Sequence, residues 1–284
     1  MKSNKWKFLL TGAATLTLLS ACTQASSQSA TKSNTAQTTA TSTSKNKTNN
    51  SNYFTDKDKD SSYDESKAST VKLSGSSASV SGDGVAVSGS TVTISKAGTY
   101  VISGESNGVQ IKVEAGDSDD VHIVLKGVTM TNTNAPISAT KAGHVYLTLA
   151  DGTTNTLSDS SSNNDEDADA VIFSKGDLTI NGSGTLNIDA KKNNGIKAND
   201  TLHITGGTYK ITAVGDAFNV NDELNITGTT MTIDADEDAV KVDNDDDTSV
   251  GTMYLSDNKM TITAGDDGIH ASGDLIIDSG TYKV

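Results

Sequence analysis

The sequence predicts an all-β solenoid, a parallel β-helix, and three observations predict it. A motif recurs about every 22 residues through the C-terminal half of the 284-residue chain. Glycine, aspartate, asparagine, serine and threonine are abundant, proline occurs once, and apolar residues come as short β-branched runs between turn residues. No long stretch carries a helical period.

The repeat has three pieces in fixed order, and each reads as a short strand or a turn. The first is an apolar-x-Ile-x-Ala strand: Leu186-Asn-Ile188-Asp-Ala190, Tyr209-Lys-Ile211-Thr-Ala213, Met231-Thr-Ile233-Asp-Ala235 and Met260-Thr-Ile262-Thr-Ala264, with a further copy opening at Tyr282. The second is an acid or amide, a small residue and an apolar one: Asn194-Gly195-Ile196, Asp216-Ala217-Phe218, Asp238-Ala239-Val240 and Asp267-Gly268-Ile269. The third is a Leu-x-Ile strand at Leu178, Leu202, Leu224 and Leu275, with Met253-Tyr254-Leu255 as a variant. Ala190 to Ala213 is 23 residues, Ala213 to Ala235 is 22, and Ala235 to Ala264 is 29 because of an insertion after Val242. Three short strands per unit of this length make one coil. Alternation turns the apolar positions inward, and equivalent residues of successive coils stack about 4.8 Å apart. Ile188, Ile211, Ile233 and Ile262 are expected to form one internal ladder. Residues 69 to 165 repeat less regularly, but strands are legible at 85–87, 91–94, 100–102, 109–113, 121–125 and 145–149. These are expected to cap the solenoid and start its first coils, covering an edge that would otherwise pair with another chain.

The first 22 residues read as an export signal. Lys2, Lys5 and Lys7 precede a short apolar stretch, and Leu19-Ser20-Ala21-Cys22 resembles the lipobox of bacterial lipoproteins. That resemblance implies that Cys22, the only cysteine, is acylated and anchors the chain to a membrane facing outside the cytoplasm. Residues 23–52 are Ser, Thr, Asn, Gln, Ala and Lys with almost nothing apolar, so they are expected to be a disordered tether. The domain proper is placed at residues 53–284, and its last strand is cut at Val284. The chain is therefore either part of a longer one or a shortened variant.

Charge narrows the partners. Up to Ala68 nine lysines face five acids, whereas from Ser69 onward thirteen lysines face thirty-one acids, a net of −18. Arginine is absent. A domain this acidic repels nucleic acid and anionic lipid, and it repels acidic polysaccharide unless a cation lies between them.

Several stretches carry a family resemblance: Phe54-Thr-Asp-Lys-Asp-Lys-Asp60, Ala97 to Gly104, Val121 to Val128, Ala135-Pro-Ile137 and Phe173 to Leu186, with the Asp-Gly-Ile-type coils that follow. Together they resemble the secreted bacterial carbohydrate-binding-domain proteins, once filed as a domain of unknown function. The resemblance implies a right-handed parallel β-helix shaped like pectate lyases, bound calcium, and non-catalytic binding of plant cell-wall polysaccharide of the polygalacturonate or cellulose kind.

Candidate metal ligands come from the acids. Asp216, Asp238 and Asp267 occupy one position in successive coils, and two carboxylates about 5 Å apart repel by roughly 3 kcal/mol at an effective dielectric of 20. One calcium ion can bridge such oxygens, with Asp236 and Asp266 as further ligands. Two acidic loops add candidates, Asp165, Asp167 and Asp169 in one and Asp243, Asp245 and Asp247 in the other. Neither completes an EF-hand loop. The alternative for all of them is turn chemistry, in which an aspartate bonds to nearby backbone. Asp56, Asp58 and Asp60 alternate with lysines and read as a solvated turn.

Sugar contacts have fewer candidates. Tyr209 and Tyr282 share the register of core residues, but Tyr254 lies between inward Met253 and Leu255. It is expected to face outward as a stacking platform for a glycan. His203 and His270 also fall at outward positions and read as solvated surface. A calcium-dependent lyase is the competing function, with Lys197 and Lys241 as the only register-matched bases. A structural or adhesive surface protein without a sugar ligand is the third reading.

Overall fold

Apolar residues spaced two apart, cut by glycine and aspartate turns, wind the chain into a right-handed parallel β-helix. The computed structural model describes residues 39–43, 52–163 and 165–284. The export signal, Cys22 and most of the expected tether lie outside these residues. No helix among those described is long and apolar enough to cross a membrane.

Each coil carries three strands, so three parallel ladders run along the solenoid. The first ladder stacks Ala170–Ser174, Asn194–Ala198, Phe218–Val220, Val240–Val242 and His270–Ala271. The second stacks Leu178–Gly182, Thr201–Thr205, Glu223–Thr227, Thr252–Ser256 and Leu275–Ile277. The third stacks Thr154–Ser158, Thr185–Ala190, Thr208–Ala213, Thr230–Ala235, Asn258–Ala264 and Ser279–Lys283. Upstream, Asp120–Thr131 is one long strand that feeds both the second and third ladders. The N-terminal end is closed by antiparallel pairing of Ser69–Gly75 with Ser77–Ser81 and of Val85–Ser88 with Thr91–Ile94. These turn the chain back where a bare parallel edge would invite another strand.

The interior is the predicted set of stacks. Ile188, Ile211, Ile233 and Ile262 are direct partners across three coil boundaries, and none is more than 4% exposed. Tyr209 and Tyr282 fill the adjacent stack as core residues, 1% and 4% exposed. Their burial pushes both phenols up, Tyr282 to about 12. Small residues follow the acid of each coil for a steric reason: a Cβ on Gly195 would stand 2.6 Å from the Ala217 carbonyl oxygen. The insertion after Val242 bulges out between the first and second ladders, so Met231, Ile233 and Ala235 still pair in register with Met260, Ile262 and Ala264.

Candidate functional site

The turn that enters the first ladder places one acid or amide per coil at the same point. In each, one side-chain oxygen accepts the backbone N–H of its equivalent in the next coil: Asn194 from Asp216 at 2.9 Å, Asp216 from Asp238 at 2.9 Å, and Asp238 from Asp267 at 2.7 Å. The stack is therefore half turn chemistry, because each carboxylate satisfies a backbone donor that the bend leaves unpaired.

The second oxygens point to a parallel column of donors three residues further on. Asn219 Nδ2 donates to Asp216 Oδ2 at 2.6 Å, and Lys241 Nζ sits 3.8 Å from Asp216 Oδ2 and 3.4 Å from Asp238 Oδ2. Lys197 donates to Asp169 at 2.8 Å, and His270 Nδ1 lies 3.2 Å from Asp267 Oδ2. Burial works against the Lys241 ammonium, but Asp216 and Asp238 outweigh it and hold its pKa above the usual lysine value. The expectation that stacked aspartates require a divalent partner thus needs correcting for the Asp216–Asp238 step, where a lysine already stands between the two.

Beyond Lys241 the balance changes. Carboxylate oxygens of Asp238, Asp266 and Asp267 all lie within 4.8 Å of one another, with Asp238 buried and the other two exposed. Three carboxylates converging from two coils can hold a divalent cation, and this is the group among the described residues that does so. Asp236 is exposed and outside this group. Asp165 accepts the backbone N–H groups of Asp167 and Ala168, and Asp169 is tied to Lys197 and Asn194. In the inserted loop Asn244 caps Asp246 and Asp247, Asp247 caps Ser249, and among the described residues neither Asp243 nor Asp245 belongs to a group of three or more metal-competent side chains. The sequence pattern could not separate these sets, because an aspartate that caps a turn and one that meets a cation occupy the same kind of loop.

Tyr254 does face away from the coil interior, but it is not a platform. It is 1% exposed, because the segment 53–60 runs across the outer face of the second ladder and covers it. Tyr53 stacks flat on Tyr254 with ring centroids 3.7 Å apart, and Phe54 sits edge-on to both Tyr254 and His203. A short helix, Asp56–Lys59, follows, opened by Thr55 in a reciprocal cap with Asp58. Outward polar groups of the ladder hold this strap. Asn225 donates to the Tyr53 carbonyl at 3.1 Å, Thr205 to the Asp58 carbonyl at 2.7 Å, and Asn181 to the carbonyls of Asp58 and Asp60.

Asp58 and His203 also depart from expectation. Asp58 is 2% exposed rather than solvated, and it accepts Thr179 Oγ1 at 2.7 Å. His203 Nδ1 lies 3.2 Å from Asp58 Oδ2, an ion-pair contact off the line of a good hydrogen bond, and its Nε2 lies 3.2 Å from Glu223 Oε1. Burial opposes charging this imidazole, but Asp58 and Glu223 outweigh it and raise its pKa to about 9. Burial likewise opposes the Asp58 charge, yet His203, Thr179 and Thr55 hold its carboxyl well below the usual carboxylate range. An outward register implies solvent, and nothing local announces that a segment 145 residues earlier lies on top.

A right-handed parallel β-helix whose turn column gathers three carboxylates at Asp238, Asp266 and Asp267 is the class of protein that the fold and the site define. Consistent with this, the chain resembles the "polysaccharide lyase-like protein from C. thermocellum", solved as a gadolinium derivative. The TM-score is 0.69 at 30% identity, over 74% of this chain and 96% of that one. The family model for carbohydrate-binding domain-containing proteins matches residues 88–284, and the chain belongs to that family. A curated relative described in the same words, from Acetivibrio thermocellus, is 37% identical over 126 residues. The match covers 42% of this chain and 44% of that relative, so the chain spans less than half of the relative's length.

Proposed function

We propose that this protein is an exported, lipid-anchored and non-catalytic polysaccharide-binding protein that takes up calcium at Asp238, Asp266 and Asp267. The single observation that carries the reading is that carboxylate group, within 4.8 Å, on the turn column of a carbohydrate-binding-family β-helix. Calcium suits it better than magnesium, since exposed, irregularly placed carboxylates accommodate a larger ion with a flexible shell. A bound cation on a domain of net −18 would let the carboxylates of an acidic, polygalacturonate-like chain approach a surface that otherwise repels them. The lipobox-like Leu19-Ser20-Ala21-Cys22 supports attachment to the outer face of a membrane.

Calorimetric titration of calcium, repeated with polygalacturonate present, tests this reading. Saturable calcium uptake that tightens when the polymer is added is the expected result. No heat in either titration would remove both the ion and the acidic ligand.

A calcium-dependent lyase is the second reading, favoured by the position of Lys241 beside the acid column. Its raised pKa argues against it, since a base must be free to shed its proton and Asp216 and Asp238 stabilise the protonated form. Appearance of unsaturated uronate from polygalacturonate with calcium would favour the lyase. A polysaccharide panel that returned no binding at all would favour a purely structural surface protein.

A further inference from the structure

The strap lies directly on the outer face of the second ladder over Tyr254, Asn225, His203 and Thr179. One outward row of that ladder continues beyond it, because Thr179, Tyr146, His122 and Thr99 are direct partners on successive strands. Here the chain stands off the sheet and leaves a cavity of about 260 Å³. Tyr146, His122 and Thr99 form its floor, and Lys57, Asp60 and Ser62 form the side that the strap supplies.

Some of the lining groups are already committed. Lys57 is paired with Asp120, which also lines the cavity, and its ammonium stands 4.4 Å from the centre of the Tyr146 ring. The same ring is stacked on His144 with centroids 4.1 Å apart. These contacts fix Tyr146 and cancel the charges of Lys57 and Asp120. Asp60 is left as the unmatched charge. Its Oδ1 accepts the Ser62 backbone N–H at 3.0 Å and the Ser62 hydroxyl at 2.6 Å, while among the described residues nothing donates to its Oδ2.

His122 is held in one tautomer by a relay that begins in the strap. Asn181 Nδ2 donates to the carbonyls of Asp58 and Asp60 at 3.2 and 3.1 Å, which leaves its Oδ1 as the acceptor toward Thr148. Thr148 Oγ1 gives its single proton to that oxygen at 2.5 Å. It therefore accepts from His122 Nε2, 2.7 Å away. Nε2 carries the ring proton and Nδ1 the lone pair, and among the described residues nothing donates to Nδ1. Burial, aided by Lys57 and opposed by Asp60, holds the His122 pKa below the usual histidine value, so the ring is neutral at pH 7.

We propose that this cavity binds a primary ammonium group carried on a small hydroxylated ring, the chemistry of a 2-amino sugar with its amine free. An ammonium has three donors and no acceptor, and the two open groups, a carboxylate oxygen and a neutral imidazole nitrogen, are both acceptors. An anionic ligand would meet Asp60 with like charge and find lone pairs where it needs donors. Ser62 and Thr99 can exchange hydrogen bonds with hydroxyls of the same ring, which a bare alkylamine would leave without partners. The net −18 of the domain draws cations toward the site. Neither the carboxylate group at Asp238 nor an acidic polymer enters this cavity, so the proposal stands apart from the function proposed above.

The test uses the full chain with glucosamine, glucose and N-acetylglucosamine as probes and a calcium chelator present throughout. Long-range proton–nitrogen correlation NMR reads the ring nitrogens of the four histidines. His122 should show a protonated Nε2 and a bare Nδ1, and glucosamine should shift that Nδ1 in a saturable titration. Glucose and N-acetylglucosamine carry no ammonium and should bind weaker by about tenfold or more. Asp60→Asn, at an exposed position where the amide oxygen can still accept from Ser62, should weaken glucosamine by about the same factor at an unchanged melting temperature. His122→Phe, which keeps a ring and removes Nδ1, is the second variant and carries the same expectation. No saturable binding of glucosamine, equal binding of glucose, or full affinity in both variants would overturn the proposal. Butylamine bound as tightly as glucosamine would reveal a general ammonium site and overturn the sugar assignment.

Discussion

The ring of Tyr53 lies flat on that of Tyr254, with centroids 3.7 Å apart and planes 4° from parallel. A residue from the start of the domain thereby covers an outward position of the second ladder near its far end. The platform that the sequence offers to a sugar is instead filled by the protein's own chain.

Tyr254→Ala should therefore act on stability rather than on ligand. Removing a side chain that is 1% exposed should cost about 3 kcal/mol, read as a lower urea midpoint. Glycan affinity measured well below that midpoint should not change. A selective loss of glycan binding in a fully stable variant would contradict the covered-ring account.

The Asp58–His203–Glu223 group makes a signed prediction with pH. The folded pKa of His203 is raised to about 9, so its contribution is fully present below the unfolded value and is lost as pH rises through about 9. Stability should fall by on the order of 3 kcal/mol between neutral pH and pH 10, and His203→Gln should flatten that limb in urea titrations. Asp58 has the opposite sign. Its carboxyl is depressed, so its contribution is present above the ordinary aspartate value and is lost as pH falls through the lower folded one.

Asp58→Ala removes one partner from this buried group and leaves His203 charged beneath the strap. A loss of about 3 kcal/mol is expected, as for other broken buried pairs. Limited proteolysis should cut within residues 52–62 well before the coils. If the variant resists cleavage as wild type does, the strap is held by other contacts.

Metal removal should separate the acids into two groups. With calcium at a hundred times its dissociation constant, the bound ion adds about 2.7 kcal/mol, which a chelator should remove as a drop in melting temperature. Asp266→Asn with Asp267→Asn should abolish that difference, while Asp245→Asn with Asp247→Asn should preserve it. A chelator effect that survives the first pair would place the ion elsewhere.

The coil column makes a steric prediction. Gly195→Ala would push a Cβ to 2.6 Å from the Ala217 carbonyl oxygen, and overpacking of this kind costs about 1–3 kcal/mol. Thermal unfolding measures it, and an unchanged midpoint would mean that the coil boundary can open to admit a methyl group.

The amino-acid sequence by itself determined the coil. A period of two within strands and of about 22 between them fixes which residues face inward and which stack, because a parallel ladder in register is the arrangement that buries every Ile of the set from Ile188 to Ile262. It also placed the acid of each coil at one point on the turn. What those outward groups meet was decided by tertiary structure alone. Whether Asp216 faces a metal or Lys241, and whether Tyr254 and His203 face water or residues 53–58, depends on packing between segments far apart in the chain. Periodicity records only the direction in which a side chain leaves its strand. It carries no information about what has come to lie above it.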